Sequence, residues 1–87
     1  MNSQALVSVG IPVFNGAKTI KNVLYSILNQ TYDNIEIIIS DNASTDNTEE
    51  VCKKIALKDK RISFYKQTEN IDIYQNYKFV LHKSAGT

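Results

Sequence analysis

The chain has 87 residues, 43% hydrophobic and 22% charged, the make-up of one small globular domain rather than a disordered or fibrous chain. A domain of this size buries only about 60% of its unfolded surface. Its net charge of +1, with nine lysines and Arg61 spread along the sequence, argues against a nucleic-acid-tracking groove or an anionic-membrane face. Cys52 is the single cysteine, so no internal disulfide and no cysteine-based metal site can form. No apolar run reaches the length of a membrane span. Met1-Asn2-Ser3-Gln4 lacks the basic start and long apolar stretch of a signal peptide. These features predict a cytoplasmic protein with no transmembrane segment and no nucleic-acid partner.

Residues 6–13 are rich in Val and Ile and read as a strand that Pro12 helps to end. From Lys18 the period changes: Ile20, Val23, Leu24, Ile27 and Leu28 form the stripe of an amphipathic helix that stops near Asn29-Gln30. Residues 35–40 form an almost wholly apolar, β-branched run, the pattern of a strand buried on both faces of a parallel sheet. Asp46 and Glu49 have capping-box spacing and predict the start of a second helix, with Val51, Ile55 and Ala56 facing inward. Cys52 lies in that helix and reads as a small packing residue. Residues 62–66 read as a third strand and residues 67–72 as a polar loop. Residues 73–84 predict a third helix with Ile73, Tyr77, Val80 and Leu81 on one side, and Gly86 is a stop signal.

Strand and helix alternate three times with short connections. This predicts an α/β fold of βαβαβα connectivity, a parallel sheet in the order 3-2-1 and the first two helices on one face. In such sheets ligands bind beyond the carboxyl ends of the strands. Those ends carry Pro12-Val13-Phe14-Asn15 and Asp41-Asn42. There is no G-x-G-x-x-G, no P-loop and no G-x-S-x-G elbow. A receiver-like fold is disfavoured, because the end of the first strand has no acidic cluster. Phe14 can stack on a flat ring, and Asp41 can accept a hydrogen bond from a ring N–H such as that of uracil. Spacing alone also permits Asp41 to cap the turn; Ser44, Thr45 and Asp46 read as capping residues.

Three segments together resemble the family 2 glycosyltransferases. Val7-Ser8-Val9-Gly10-Ile11-Pro12-Val13-Phe14-Asn15 is similar to that family's V-S-[VI]-x-[IV]-P-x-[YF]-N opening strand. Ser26-Ile27-Leu28-Asn29-Gln30-Thr31-Tyr32 is similar to its S-[IVL]-L-x-Q-[TS]-[YF] helix end. The run from Glu36 through Asp41-Asn42-Ala43-Ser44-Thr45-Asp46-Asn47-Thr48 resembles its E-[IV]-[IV]-[IV]-V-D-[DN]-x-S-x-D-x-T segment. Arg61-Ile62 and Glu69-Asn70-Ile71 fall where the family has a strand start and an N-x-G loop.

The resemblance implies a three-layer, Rossmann-like GT-A half-domain over residues 1–87, the truncated nucleotide-sugar-binding part of a transferase. It implies a nucleotide-sugar partner, a UDP-sugar by this reading, held by Pro12, Val13, Phe14, Asn15, Asp41 and, more weakly, Asn42. It further implies Mn²⁺ or Mg²⁺ in the full-length enzyme, bound by a D-x-D-like motif on a fourth strand that this sequence does not contain. The catalytic base also lies outside it, so no residue here is assigned a catalytic role and the 87 residues are expected to be inactive alone. The parent's acceptor would be a glycan or a lipid-linked sugar, and the parent would be a peripheral protein at the inner membrane face. Gly16-Ala17, Asp72 and Gln75 depart from the family pattern and leave diphosphate contacts in this region unassigned. His82 reads as a surface or packing residue. A second reading is a non-catalytic α/β module that forms a homo-oligomer through the open sheet edge.

Overall fold

A computed structural model of the chain describes residues 5–30 and 32–84. The elements are β1 (Val7–Val13), α1 (Ala17–Leu28), β2 (Ile35–Asp41), α2 (Thr48–Lys58), β3 (Ile62–Lys66) and α3 (Ile73–Lys83). The strands form one parallel sheet in the order β1-β2-β3, as the alternation predicts. Gly86 lies outside the described residues.

The isoleucine run takes the middle of the sheet because both of its faces are covered. Ile35, Ile37 and Ile39 join Ile20 and Leu24 of α1, Cys52 and Ile55 of α2, and Ile62 in one buried cluster. Strand alternation turns Ile38 to the opposite face, where it is buried beneath α3. There Gly10, the register partner of Ile38, lets α3 approach: a Cβ on it would stand 2.9 Å from Val80 Cγ2. α3 lies chiefly over β1 and β2. Its Phe79 meets Tyr65 of β3 edge to face, with centroids 5.3 Å apart.

Three local expectations are corrected. Val23 is 43% exposed, so α1 meets the core along Ile20 and Leu24, with Ile27 and Leu28 partly buried. The capping box of Asp46 and Glu49 does not form. The helix starts later, after Asn47, and Asp46 Oδ1 accepts the Thr48 N–H at 2.9 Å and the Thr48 hydroxyl. Glu49 is instead held by Lys53 and Lys66, each at 2.7 Å. The two ammonium groups keep the Glu49 carboxyl down at about 2.

The third correction is the face of α3. Of the four residues expected together, only Val80 is buried, while Ile73 is 83% exposed. Asn76 takes the inward position because Ser40 holds it: the Ser40 hydroxyl donates to Asn76 Oδ1, and Asn76 Nδ2 donates to the Ser40 carbonyl at 3.1 Å. Two bonds to the end of β2 turn the helix so that a polar residue faces the sheet.

Candidate functional site

Three connections meet at the carboxyl ends of the strands, and side chains from distant positions bind them together. Asn15 has φ 51°, a left-handed conformation that Asn tolerates better than most residues. Its Oδ1 accepts the Thr45 N–H at 2.8 Å, and its own N–H donates to Ser44 Oγ at 2.8 Å. The Gly16 N–H donates to Thr48 Oγ1 at 3.0 Å. The turn after β1 is thereby fastened to the turn after β2, and Asn15 is engaged in that fastening.

Asn42 fastens the third connection. Its Oδ1 accepts the Ile71 N–H at 2.7 Å, and its Nδ2 donates to the Ile71 carbonyl at 2.6 Å. Asn70 Nδ2 adds a bond to the Asn42 carbonyl at 2.9 Å. Gln67 contributes twice, through its N–H to the Asp41 carbonyl at 2.9 Å and through Nε2 to Ser40 Oγ at 3.0 Å.

Between these connections lies a cleft of about 250 Å³ lined by Pro12, Val13, Phe14, Asn42, Ile73 and Asn76. Phe14 is 51% exposed, and Ile73, in the first turn of α3, lines the same cleft. Four of the residues singled out from sequence therefore share one cavity. Ile73 and Asn76 were not among them. Asn76 lies three and four residues before Phe79 and Val80, but a polar side chain gives no apolar signal for an inward helix position.

Asp41 is the register partner of Val13 and is fully buried. Its Oδ1 accepts the Ser44 N–H at 3.2 Å and the Ser44 hydroxyl. Asp41 Oδ2 is buried and has no hydrogen-bond partner. A buried acceptor without a donor is costly, and such atoms concentrate where a ligand or water completes the site. Strand alternation puts Asp41 on the α1 and α2 side of the sheet, where burial first and the Asp41 and Asp46 carboxylates next push the Cys52 thiol up to about 11. Cys52 is therefore a protonated packing residue at neutral pH.

The profile described as Glycosyl transferase family 2 matches residues 8–87. The chain belongs to glycosyl transferase family 2. It is 44% identical over 57 residues to the glycosyltransferase GlyG of Streptococcus pneumoniae, covering 66% of this chain and 19% of that one. It is 51% identical over 57 residues to the UDP-Glc:alpha-D-GlcNAc-diphosphoundecaprenol beta-1,3-glucosyltransferase WfaP of Escherichia coli, covering 66% and 22%. The mannosyltransferase PcManGT of Pyrobaculum calidifontis, solved in complex with GDP-Man and Mn²⁺, superimposes with a TM-score of 0.87 at 25% identity, over 97% of this chain and 26% of that one. The chain thus spans about a fifth to a quarter of these relatives, and its sheet is the Rossmann-like sheet of the GT-A fold.

Among the described residues there is no group of three or more His, Cys, Asp or Glu able to hold a metal ion. Asp46 is engaged by Thr48, and Asp41 offers one free oxygen. This donor set does not fit a divalent cation, which takes six or more oxygen ligands. No helix among the described residues is long and apolar enough to cross a membrane.

Proposed function

We propose that these residues form the nucleotide-holding part of the donor site of a family 2 glycosyltransferase, with a UDP-sugar as donor. The observation that carries the reading is the exposed Phe14 ring on a cleft at the strand ends that Pro12, Val13 and Asn42 also line. Phe14 offers its face to the base, and the backbone of Pro12 and Val13 lines the edge of the cleft. By the family resemblance Asp41 Oδ2 is assigned as acceptor for the ring N–H, although Asp41 faces the α1 and α2 side of the sheet and does not line this cleft. Uracil and guanine both offer such an N–H, whereas adenine and cytosine present a ring acceptor there, which a carboxylate repels. UDP is preferred over GDP because WfaP, at 51% identity, is named for UDP-Glc, against 25% for the GDP-Man-bound mannosyltransferase. By the same likeness the acceptor is a glycan or a lipid-linked sugar diphosphate.

The chemistry divides between parts of the protein. These 87 residues bind and orient the nucleotide as one domain. The metal that neutralises the donor diphosphate and the base that activates the acceptor come from elsewhere in the full-length transferase, so these residues alone turn over no donor. Isothermal titration with UDP, GDP, CDP and ADP tests the binding. The proposal expects UDP to bind best, with GDP next. Equal binding of all four, or of none, would contradict it.

A second reading has its own observation. Among the described residues β1 is hydrogen-bonded on one side only, and Val7, Val23, Tyr77 and Leu81 are exposed. In that reading two copies pair through the free edge of β1 as a homo-oligomer. Sedimentation of the chain showing a dimer that Leu81→Glu dissociates would support it; a monomer at high concentration would exclude it.

A further inference from the structure

We infer that one flank of α3 carries a second binding site that takes a phosphorylated sugar, with the phosphate on Lys78 and His82 and the sugar ring on Phe79. No residue of this site lines the strand-end cleft, so it stands or falls independently of the donor-site reading.

α3 lies chiefly over β1 and β2, and a cavity of about 420 Å³ runs along the flank that carries Phe79. It is lined by Ile71, Gln75, Lys78, Phe79 and His82. The four helical residues follow the i, i+3, i+4, i+7 spacing of one helix face. Phe79 is half-buried and fixed edge to face on Tyr65 of β3, with centroids 5.3 Å apart. Lys83 Nζ lies 5.2 Å from the centre of the Tyr65 ring and 5.6 Å from that of Phe79. The Phe79 ring is thus held in place and bordered by basic side chains.

Nothing acidic neutralises that border. α3 contains no Asp or Glu, and among the described residues no carboxylate pairs with Lys78, His82 or Lys83. The Asp72 carboxylate at the start of the helix is held by the Gln75 N–H at 2.8 Å. The negative end of the helix accounts for His82 and Lys83 but not for Lys78, which is half-buried in the middle of α3. Its ammonium rests 5.1 Å from the centre of the Tyr74 ring. A phosphate offers Lys78 and His82 charge-assisted hydrogen bonds, stronger than an exposed contact between an ammonium and a ring. A bare anion would leave the Phe79 ring unused, whereas a sugar covers it with its C–H face and gives Gln75 a hydroxyl to bond. For a family 2 glycosyl transferase, a sugar phosphate is the ligand class that combines the two. Held on α3, it leaves the strand-end cleft free.

The test titrates the whole ¹⁵N-labelled chain with glucose 6-phosphate and follows the amide shifts. The wild type should show saturable shifts at Lys78, Phe79 and His82, unaltered by saturating UDP. The double variant Lys78→Gln/His82→Gln should bind about tenfold more weakly, the effect of losing charge-assisted hydrogen bonds, while Lys78→Arg should keep the affinity. Inorganic phosphate should bind the wild type about tenfold more weakly than glucose 6-phosphate, and Phe79→Leu should erase that difference. Thermal melts establish that each variant is folded. If the double variant does not fold, Lys78→Gln alone decides, and if Phe79→Leu does not fold, the phosphate comparison in the wild type decides the sugar contact. No saturable shifts on α3, undiminished binding in the double variant, displacement by UDP, or equal affinity for inorganic phosphate overturns the inference. So does binding to phosphatidylglycerol vesicles in place of glucose 6-phosphate, which would make this flank a membrane contact.

Discussion

Replacing Asp41 by asparagine should make the protein more stable and worse at binding. Asp41 is fully buried, with Oδ1 satisfied by Ser44 and Oδ2 facing no donor. An unpartnered buried polar atom costs about 1–3 kcal/mol, and more when it carries charge. Asparagine keeps an oxygen for Ser44 and removes the charge, so the gain is the relief of a buried charge less the smaller cost of a neutral amide nitrogen without an acceptor. The expected gain is about 1 kcal/mol, which in a domain of this size raises Tm by roughly 4–8 °C. Asp41→Ala removes the Ser44 acceptor as well and should cost about 1–2 kcal/mol. The diagnostic order of stability is therefore Asn above wild type above Ala, read by thermal melts followed by circular dichroism. Titration of the same proteins with UDP should show affinity lost in both variants. A functional group held at a cost to the fold behaves this way. If Asp41→Asn melts below the wild type, Oδ2 is a structural partner and the reasoning is wrong.

Other consequences follow from single contacts. Gly10→Ala would place a Cβ 2.9 Å from Val80 Cγ2 and 3.2 Å from Val80 Cβ. It should cost about 1–3 kcal/mol, and Val80→Ala in the same chain should cancel part of that loss in a double-mutant cycle. Glu49, held at about 2 by Lys53 and Lys66, has a folded pKa below its ordinary 4.5. Its contribution is complete above about 4.5 and is lost as pH falls towards 2. Glu49→Gln should flatten that part of the stability–pH curve, and an unchanged curve would show the ion pairs to be inert. Phe14→Ala should leave the stability within about 0.5 kcal/mol of the wild type, as for an exposed side chain, while weakening UDP; a large loss of stability would make Phe14 a core residue instead.

Much of the fold was legible because one signal dominated it. The isoleucines at 35, 37, 38 and 39 read as a two-sided buried strand, and a strand buried on both faces fixes layers above and below it. The helical period of α1 was equally plain along Ile20 and Leu24. The face of α3 was not legible, because it is set by Asn76 bonding to Ser40, 36 positions away. Apolar periodicity pointed to Ile73, Tyr77 and Leu81, and polar satisfaction overrode it. The start of α2 failed for a related reason: Glu49 was drawn to Lys53 and Lys66, and the latter lies 17 positions away.

The site divides along the same line. Phe14 and Asp41 stand at strand ends, where sheet topology alone directs attention. Asn15 and Asn42 have the same residue type and similar positions, yet their amides are spent on Thr45 and on Ile71. Nothing local in the sequence distinguishes an amide that meets a ligand from one that ties two loops together. Apolar periodicity assigns Ile73 to a packing stripe, whereas it is exposed and lines the cleft.

The most direct test of the central claim, that the strand-end cleft holds a nucleotide, is amide chemical-shift mapping of the ¹⁵N-labelled chain during titration with UDP. The account expects saturable shifts confined to Val13, Phe14, Asp41, Asn42 and the Ile71–Ile73 backbone, with the exposed face of α2 around Lys54 and Leu57 unchanged. Saturable shifts centred on α2, or none at the strand ends at millimolar UDP, would contradict it.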